Sequence, residues 1–191
     1  QVYKVTKADK APVMDCPITI RENGMDNGIL SVTFNKDGSF NLIDSRTGRT
    51  FAGQNRLEDQ PDIGESYNFK AGGEPILCDN AETTLCETTA YSATFKTVAK
   101  LAGDAVVTSY VTLQKDVARV DIKTVIVNNG ENHRIRALFD SDVITEYALS
   151  EGQFDLTARP IEPSFTWQNP SNLQKTQAFV AMEAENGDDK E

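Results

Sequence analysis

The chain of 191 residues contains one histidine, His133, and three cysteines. A single histidine cannot build a multi-histidine zinc site or an HExxH motif. Three cysteines in a chain too large to need disulfides favour a reducing compartment, with a bond between Cys78 and Cys86 as the alternative. The sequence also lacks GxSxG, GxxxxGK[ST] and GxGxxG motifs. Unaided chemistry would therefore have to rest on carboxylates, tyrosine and arginine.

Positive charge is also scarce, with 19 Lys and Arg against 29 Asp and Glu, for a net charge of −10. This balance argues against nucleic acid and against an anionic membrane surface, because both need a basic footprint. No apolar run approaches the roughly 20 residues that span a bilayer. The chain starts at Gln1 without a signal-peptide pattern, so we expect it to be processed or excised from a longer protein.

What the sequence has in abundance is strand patterning. In GILSVTFN (28–35), Leu30, Val32 and Phe34 alternate with polar residues, and NKDG (35–38) is a turn signal. Three later runs of the same kind cover residues 90–98, 104–114 and 118–128. Because no amphipathic helix is apparent, the pattern predicts an all-β fold, a large antiparallel β-sandwich.

Several boundaries follow from the same pattern. Residues 1–20 are predicted to be a linker or edge strand, and 21–191 the sandwich domain, truncated at its C-terminus. Residues 53–75 are predicted to be irregular. Asn129-Gly130 predicts a hairpin that leads into a strand from His133, with Ile135, Ala137 and Phe139 facing inward. His133, alone at a strand start, is expected to be structural.

The segment DIGESYNF (62–69) breaks the strand rhythm and offers an acidic pair, Asp62 with Glu65. Paired carboxylates are what glycoside hydrolysis needs, although acids this numerous are mostly solvated turn residues. A calcium site that uses Asp62 and Glu65 is a further alternative. Two other acidic pairs are weaker candidates: Glu58 with Asp59, and Asp140 with Asp142.

Two arginines, Arg134 and Arg136, alternate with apolar residues and should project from one sheet face. Side by side, they could bind a carboxylate or phosphate bidentately. The alternative is that they pair with acids of a neighbouring strand, such as Asp121.

Five segments occur in a characteristic order: NGILSVTFNKDGSFNLIDSRTGRTF, DIGESYNF, NHRIRALFDSD, FDLTARP and TQAFV. Together they resemble the C-terminal β-sandwich region of glycoside hydrolase family 38 α-mannosidases. The similarity runs from about Arg21 to Met182, and the order and spacing carry it. The details resemble the bacterial, mannosylglycerate-hydrolase-like branch, whose members usually work inside the cell.

The resemblance implies a galactose-mutarotase-like supersandwich that packs on a catalytic domain. Family members hydrolyse α-mannosides with retention, using a zinc-assisted carboxylate nucleophile in an N-terminal β/α domain. The chain has no such domain, so we expect a non-catalytic part of a cytoplasmic α-mannosidase, without a cofactor of its own. Its expected partners are the zinc-containing catalytic domain and the α-mannoside, and the parent could be a homo-oligomer.

The resemblance also implies roles for the candidate residues. Tyr67 matches a loop tyrosine that helps to line the mannose site, and Asp62 and Glu65 would shape that loop. Arg134 and Arg136 match the family's H-R-x-R strand, and we keep them as candidate substrate-binding residues. The alternative function is a free-standing carbohydrate-binding module that stacks Trp167 and Tyr67 on sugar rings.

Overall fold

The computed structural model describes residues 16–162 and 175–183. The chain divides into two compact units, Gln1–Asp140 and Ser141–Glu191. The described residues form antiparallel strands, and their helical content is one short 3-10 turn, Ala102–Asp104. None of these residues lies in a helix long and apolar enough to cross a membrane. The predicted all-β, antiparallel fold class is confirmed.

The strands of the described residues are, in chain order, β1 (Thr19–Arg21), β2 (Gly24–Asp26), β3 (Leu30–Phe34), β4 (Phe40–Asp44), β5 (Thr50–Gln54), β6 (Arg56–Pro61), β7 (Ile76–Leu77), β8 (Ala81–Thr88), β9 (Ser92–Lys100), β10 (Val106–Gln114), β11 (Val120–Val127), β12 (His133–Leu138), β13 (Tyr147–Glu151), β14 (Leu156–Pro160) and β15 (Val180–Ala181). The first unit contains a five-stranded sheet β1-β2-β3-β4-β5, a four-stranded sheet β11-β10-β9-β8 and a three-stranded sheet β12-β6-β7. The second unit contains the sheet β14-β13-β15.

The five-stranded and four-stranded sheets pack face to face, because each strand presents its apolar residues to one side. In β10, which lies in the predicted strand run 104–114, Val107, Val111 and Leu113 are all buried. One cluster joins both sheets, and the rings of Phe34 and Phe95 lie 5.1 Å apart across it. The main buried members of this cluster are Met25, Leu30, Val32, Phe34, Phe40, Phe95, Val111 and Leu113.

The predicted turn at NKDG connects β3 to β4. Gly38 has a φ of 84°, and the Asp37 Oδ1 accepts a hydrogen bond from the Ser39 N–H at 3.0 Å. A Cβ on Gly38 would lie 2.8 Å from side-chain carbons of both Ala81 and Thr97. Glycine is therefore needed for the backbone conformation and for the close approach of β8 and β9.

Two predictions about element boundaries were wrong. Residues 53–75 are not irregular throughout, because β6 lies within them; its buried Glu58, Asp59 and Gln60 are polar and hide the strand from an apolar pattern. Asn129-Gly130 does not join a hairpin, since β11 pairs with β10 whereas β12 pairs with β6.

The predicted inward face of β12 is correct only in part. Ile135 packs on a second core cluster with Leu57, Cys78, Ala99 and Val107. Ala137 and Phe139, by contrast, are exposed, because alternation identifies which residues share a face but not how far that face is covered. In the second unit, Ser150 is the one buried residue within the described ranges.

Candidate functional site

The strands β6 and β12 carry the candidate site. They pair antiparallel with Arg134 opposite Gln60 and Arg136 opposite Glu58. Since alternate residues of a strand share a face, these four polar side chains lie on one side of the ribbon. The chain leaves β6 at Pro61 and enters the segment 62–71, which contains the residues predicted to line a site.

Residues 62–71 form a small hairpin, called here the 62–71 hairpin. Asp62 bridges to Ala71 and Glu65 bridges to Asn68. The Glu65 and Asn68 backbones exchange two N–H···O bonds, each of 3.1 Å. Ser66 and Tyr67 are thus its two-residue tip. The apolar rhythm breaks here because the chain turns back before a strand-length alternation can develop.

Asp62 holds the hairpin from inside. Its Oδ1 accepts hydrogen bonds from the N–H groups of Gly64 at 2.8 Å and Lys70 at 3.0 Å. These two bonds, with a smaller contribution from Arg134, lower the pKa of Asp62. A Cβ on Gly64 would lie only 2.0 Å from the carbonyl oxygen of Asn68, so the loop requires glycine there.

Glu65 and Tyr67 differ from Asp62 in what they face. The Glu65 Oε1 accepts a hydrogen bond from Asn68 Nδ2 at 3.2 Å, within the hairpin. Tyr67 is 92% exposed and presents its ring at the tip. The acids therefore have separate structural uses, and the tyrosine is displayed to the outside.

Arg134 connects β12 to the hairpin. Its Cζ lies 3.4 Å from the centroid of the Phe69 ring, and its Nη2 donates to Gln60 Oε1 at 2.7 Å. Desolvation by burial lowers the pKa of Arg134, and Arg136 adds to this effect, while Glu58 and Asp62 oppose it.

Arg136 pairs with an acid of the neighbouring strand, but that acid is Glu58. The Arg136 Nε donates to Glu58 Oε1 at 2.7 Å, and its Nη2 contacts the same oxygen. The Glu58 side chain is 6% exposed. Asp121, the partner suggested from sequence, instead accepts a hydrogen bond from Arg119 at 2.7 Å. Strand order explains the difference, because β12 lies beside β6 and not beside β11.

The opposite face of the ribbon buries His133. Its Nδ1 lies 2.9 Å from Asp59 Oδ1, and its Nε2 lies 2.9 Å from Asn128 Oδ1. Glu58 and Asp59 thus point to opposite faces of the ribbon, Glu58 to Arg136 and Asp59 to His133. They are not arranged as a carboxylate pair for glycoside hydrolysis, which needs both groups on one substrate.

The remaining sequence candidates lie elsewhere. Asp140 Oδ2 pairs with Arg56 Nη2 at 3.1 Å. The three cysteines are free, so Cys78 and Cys86 are not joined. Within 16–162 and 175–183, no three His, Cys, Asp or Glu side chains converge as metal ligands. Trp167 lies outside the described residues.

Sequence reasoning missed Phe69 and Gln60. Both residues contact the side chain of Arg134, which is distant from them in the sequence. The signal that could have identified β6 is charge complementarity: when the two segments are aligned as antiparallel strands, the run Glu58-Asp59-Gln60 lies opposite Arg134-Ile135-Arg136. Choosing that alignment among many requires the fold itself.

Fold and site together define an antiparallel β-sandwich protein that displays a short aromatic-tipped hairpin beside a charged ribbon. The model of the glycosyl hydrolases family 38 C-terminal domain matches residues 25–188. The chain belongs to this family.

Relatives agree with the family match. A curated protein of Halalkalibacterium halodurans, named "Putative mannosylglycerate hydrolase", is 24% identical over 195 residues, covering 84% of this chain and 22% of the relative. The crystal structure of an alpha-mannosidase from Enterococcus faecalis V583 is 28% identical, with a TM-score of 0.76, over 83% of this chain and 22% of that one. A second Enterococcus faecalis structure, of a protein in glycosyl hydrolase family 38, shares the fold at 23% identity and a TM-score of 0.67, over 81% of this chain and 22% of that one. The chain therefore spans about a fifth of the length of these relatives.

Proposed function

We propose that this chain is the C-terminal β-sandwich domain of a larger retaining α-mannosidase and that its 62–71 hairpin forms one wall of the mannose site. Tyr67 would face the sugar, while Asp62 and Glu65 shape the loop. The observation that carries the proposal is an almost fully exposed tyrosine at the tip of a hairpin whose backbone is internally hydrogen-bonded. The family match and the similarity to an alpha-mannosidase support it.

The chemistry of tyrosine suits this role. Its ring offers an apolar face to a sugar ring, and its hydroxyl can donate to or accept from a sugar hydroxyl. A hairpin that is already ordered reduces the conformational entropy lost on binding. Tyr67 thus supplies contact and orientation, whereas bond cleavage would depend on groups of the catalytic domain.

The zinc ion of the family does not fit the described residues of this chain. Their one histidine, His133, has both ring nitrogens engaged by Asp59 and Asn128, and no acidic or thiol cluster surrounds it. Zinc would therefore be bound by the catalytic domain of the parent, and the chain alone would not hydrolyse α-mannosides. The same proposal assigns the parent to the cytoplasm, in keeping with three free cysteines.

The two arginines are proposed to support the site without binding an anion. The name of the Halalkalibacterium relative includes a glycerate group, an anionic aglycone of the kind that a pair of guanidiniums could bind. Here, however, Arg136 is paired with Glu58, and Arg134 interacts electrostatically with both Glu58 and Asp62. Local charge is thus balanced, and little positive potential remains for an incoming carboxylate.

The test is a single-atom change in the intact enzyme. Tyr67→Phe should lower kcat/KM on α-mannosides about 3- to 10-fold, the equivalent of one hydrogen bond of about 0.5–1.5 kcal/mol. Tyr91→Phe is the matched control, since Tyr91 is 65% exposed on a turn of the sandwich. Wild-type kinetics for Tyr67→Phe would remove the hairpin from the mannose site.

A second measurement separates this function from a free-standing carbohydrate-binding module. The chain alone should show no turnover of aryl α-mannosides with added zinc, and almost no heat on titration with mannose or oligomannosides. Zinc-dependent turnover would overturn the proposal. A clear binding isotherm without turnover would favour the module.

A further inference from the structure

Arg134 contacts the 62–71 hairpin directly and, through Gln60, the segment that follows it. Its guanidinium covers the ring of Phe69, in the returning arm, with Cζ 3.4 Å from the centroid. Its Nη2 also donates to Gln60 Oε1, and Gln60 Nε2 donates in turn to the carbonyl oxygen of Gly73 at 3.1 Å. One side chain of β12 is thus connected to the returning arm and to the segment that follows it.

The position of Arg134 carries a desolvation penalty, so a compensating interaction is required. Its Nε is buried and has no hydrogen-bond partner. A guanidinium that gives up water for an aromatic face can gain about 2 kcal/mol, against about 0.5–1 kcal/mol for an exposed cation–π pair. The stack on Phe69 offsets this loss of hydration together with the hydrogen bond to Gln60 and the attraction of Glu58 and Asp62.

The hairpin needs an anchor of this kind. All of its residues from Ile63 to Asn68 are exposed, and an isolated two-stranded hairpin is marginally stable in water. Asp62 braces it from inside, and at its base the Asp62 N–H donates to the carbonyl oxygen of Asn132 at 2.8 Å. The backbone bonds of Ile63, Glu65 and Asn68 stay within the hairpin, so they do not fix its arms relative to the sheet. Phe69 is the half-buried aromatic of the hairpin, and Arg134 covers it from an adjacent strand.

We propose that Arg134 is a positioning residue for Tyr67, which fixes the returning arm of the hairpin by stacking on Phe69 and does not itself touch the sugar. The inference rests on the proposed function in one respect, namely that Tyr67 faces the mannoside. The mechanical part, that Arg134 orders the hairpin, is a property of the chain and can be measured without substrate.

The first experiment measures amide hydrogen exchange in the 191-residue chain. Arg134→Met should accelerate exchange of the Gly64 and Lys70 amides about tenfold, the loss of a contact of about 1.4 kcal/mol, while β10 amides stay protected. Arg134→Lys should not rescue protection, because an ammonium retains the charge but lacks the planar group. Arg49→Met is the matched control, since Arg49 lies over the ring of Phe51 at 5.2 Å in another sheet.

A second variant approaches the stack from the ring. Phe69→Leu keeps an apolar side chain and should accelerate exchange as Arg134→Met does, whereas Phe69→Trp should preserve protection. This pair decides the matter even if Arg134→Met fails to fold. Unchanged exchange in Phe69→Leu, or full protection in Arg134→Lys, would overturn the positioning role.

Kinetics in the intact enzyme then connect the hairpin to catalysis. Arg134→Met should lower kcat/KM about tenfold, and it should add little to the loss in a Tyr67→Phe background, because both changes act on one contact. Additive losses would overturn the proposal that Arg134 acts through Tyr67. Wild-type kinetics for Tyr67→Phe would instead overturn the proposed function, and the exchange result would still report on positioning.

Discussion

Asp62, a candidate catalytic acid from the sequence, has a structural role in the hairpin. Both of its short hydrogen bonds come from backbone N–H groups of its own hairpin, and such bonds favour the ionised carboxylate. An acid whose Oδ1 is used in this way organises a loop. Tyr67 has its ring outside that hydrogen-bonded frame and is almost fully exposed, which is why the proposed function assigns the sugar contact to it.

The lowered pKa of Asp62 predicts how the hairpin responds to acid. Because the folded-state pKa lies below the ordinary value, the stabilisation is fully present above that ordinary value and is lost as the pH falls through the folded pKa. Exchange protection of the Gly64 and Lys70 amides, corrected for intrinsic rates, should therefore fall on acidification below pH 4. The pKa of Asp62 is lowered mainly by the hydrogen bonds that its carboxylate accepts from the Lys70 and Gly64 N–H groups.

Asp62→Asn provides the control for this effect. The amide oxygen can still accept a hydrogen bond but carries no charge that titrates, so protection should be weaker at neutral pH and independent of pH in the acidic range. A wild-type chain with equally flat protection would contradict the assignment of Asp62 as the bracing group.

At the scale of elements, the ribbon of β6 and β12 carries charge into partly buried positions. Glu58, Asp59 and Gln60 are buried in succession, and each has a partner on or beside the ribbon. The contribution of such a strand to the free energy of unfolding depends on every buried charge having a partner, because a buried charge without one is strongly destabilising.

Arg136→Met tests this dependence. It leaves Glu58 buried without its cation and should lower the free energy of unfolding by about 3 kcal/mol, at the low end for a broken buried pair because Arg136 is itself 40% exposed. Urea denaturation measures the change. Adding Glu58→Gln should recover part of the loss, because the uncompensated charge is then removed.

Arg119→Met is the matched comparison for Arg136→Met. Arg119 pairs with Asp121 on the surface, where side-chain exposures are 64% and 38%. An exposed pair contributes little, so the expected change is below about 1 kcal/mol. Equal losses for the two arginines would show that burial of Glu58 does not decide the energetics of the ribbon.

The same contrast explains what could be predicted from the sequence. Strands β9 and β10 bury every second residue, and most of these residues are apolar, so their alternation identifies both strand and core. β6 buries polar residues, so the apolar pattern does not mark it. β8 is mostly exposed and shows no clear pattern either.

The candidate site divides in the same way. Tyr67 and its loop could be singled out because the rhythm breaks at DIGESYNF and the segment resembles a family motif. The contacts of Arg134 with Phe69 and of Arg136 with Glu58 depend on which strands become neighbours. Strand neighbours are not determined by local sequence, and the pattern of β12 alone is compatible both with an anionic ligand and with acids of a neighbouring strand as partners of the two arginines.

At the scale of the whole molecule, the apolar core of the described residues belongs entirely to the first unit. Every buried hydrophobic residue, from Ile18 to Leu113, lies within Gln1–Asp140. The described part of the second unit buries only Ser150. Hydrophobic burial is the main favourable term in folding, so the stability of the first unit should depend little on the second.

A shortened chain tests that expectation. Ending the chain after Asp142 keeps the Asp140 carbonyl, which accepts a hydrogen bond from Gln54 Nε2 at 2.8 Å, within a peptide bond. The main thermal transition should then stay within about 4 °C of the full chain, the shift that a change of about 1 kcal/mol produces at this size. Phe95→Ala in the same shortened chain should by contrast cost about 3–5 kcal/mol, because it opens a cavity where both sheets meet. If removing residues 143–191 lowered the transition as much as Phe95→Ala does, the core of the first unit would not be sufficient for its stability, and the second unit would have to be counted as part of the same folding unit.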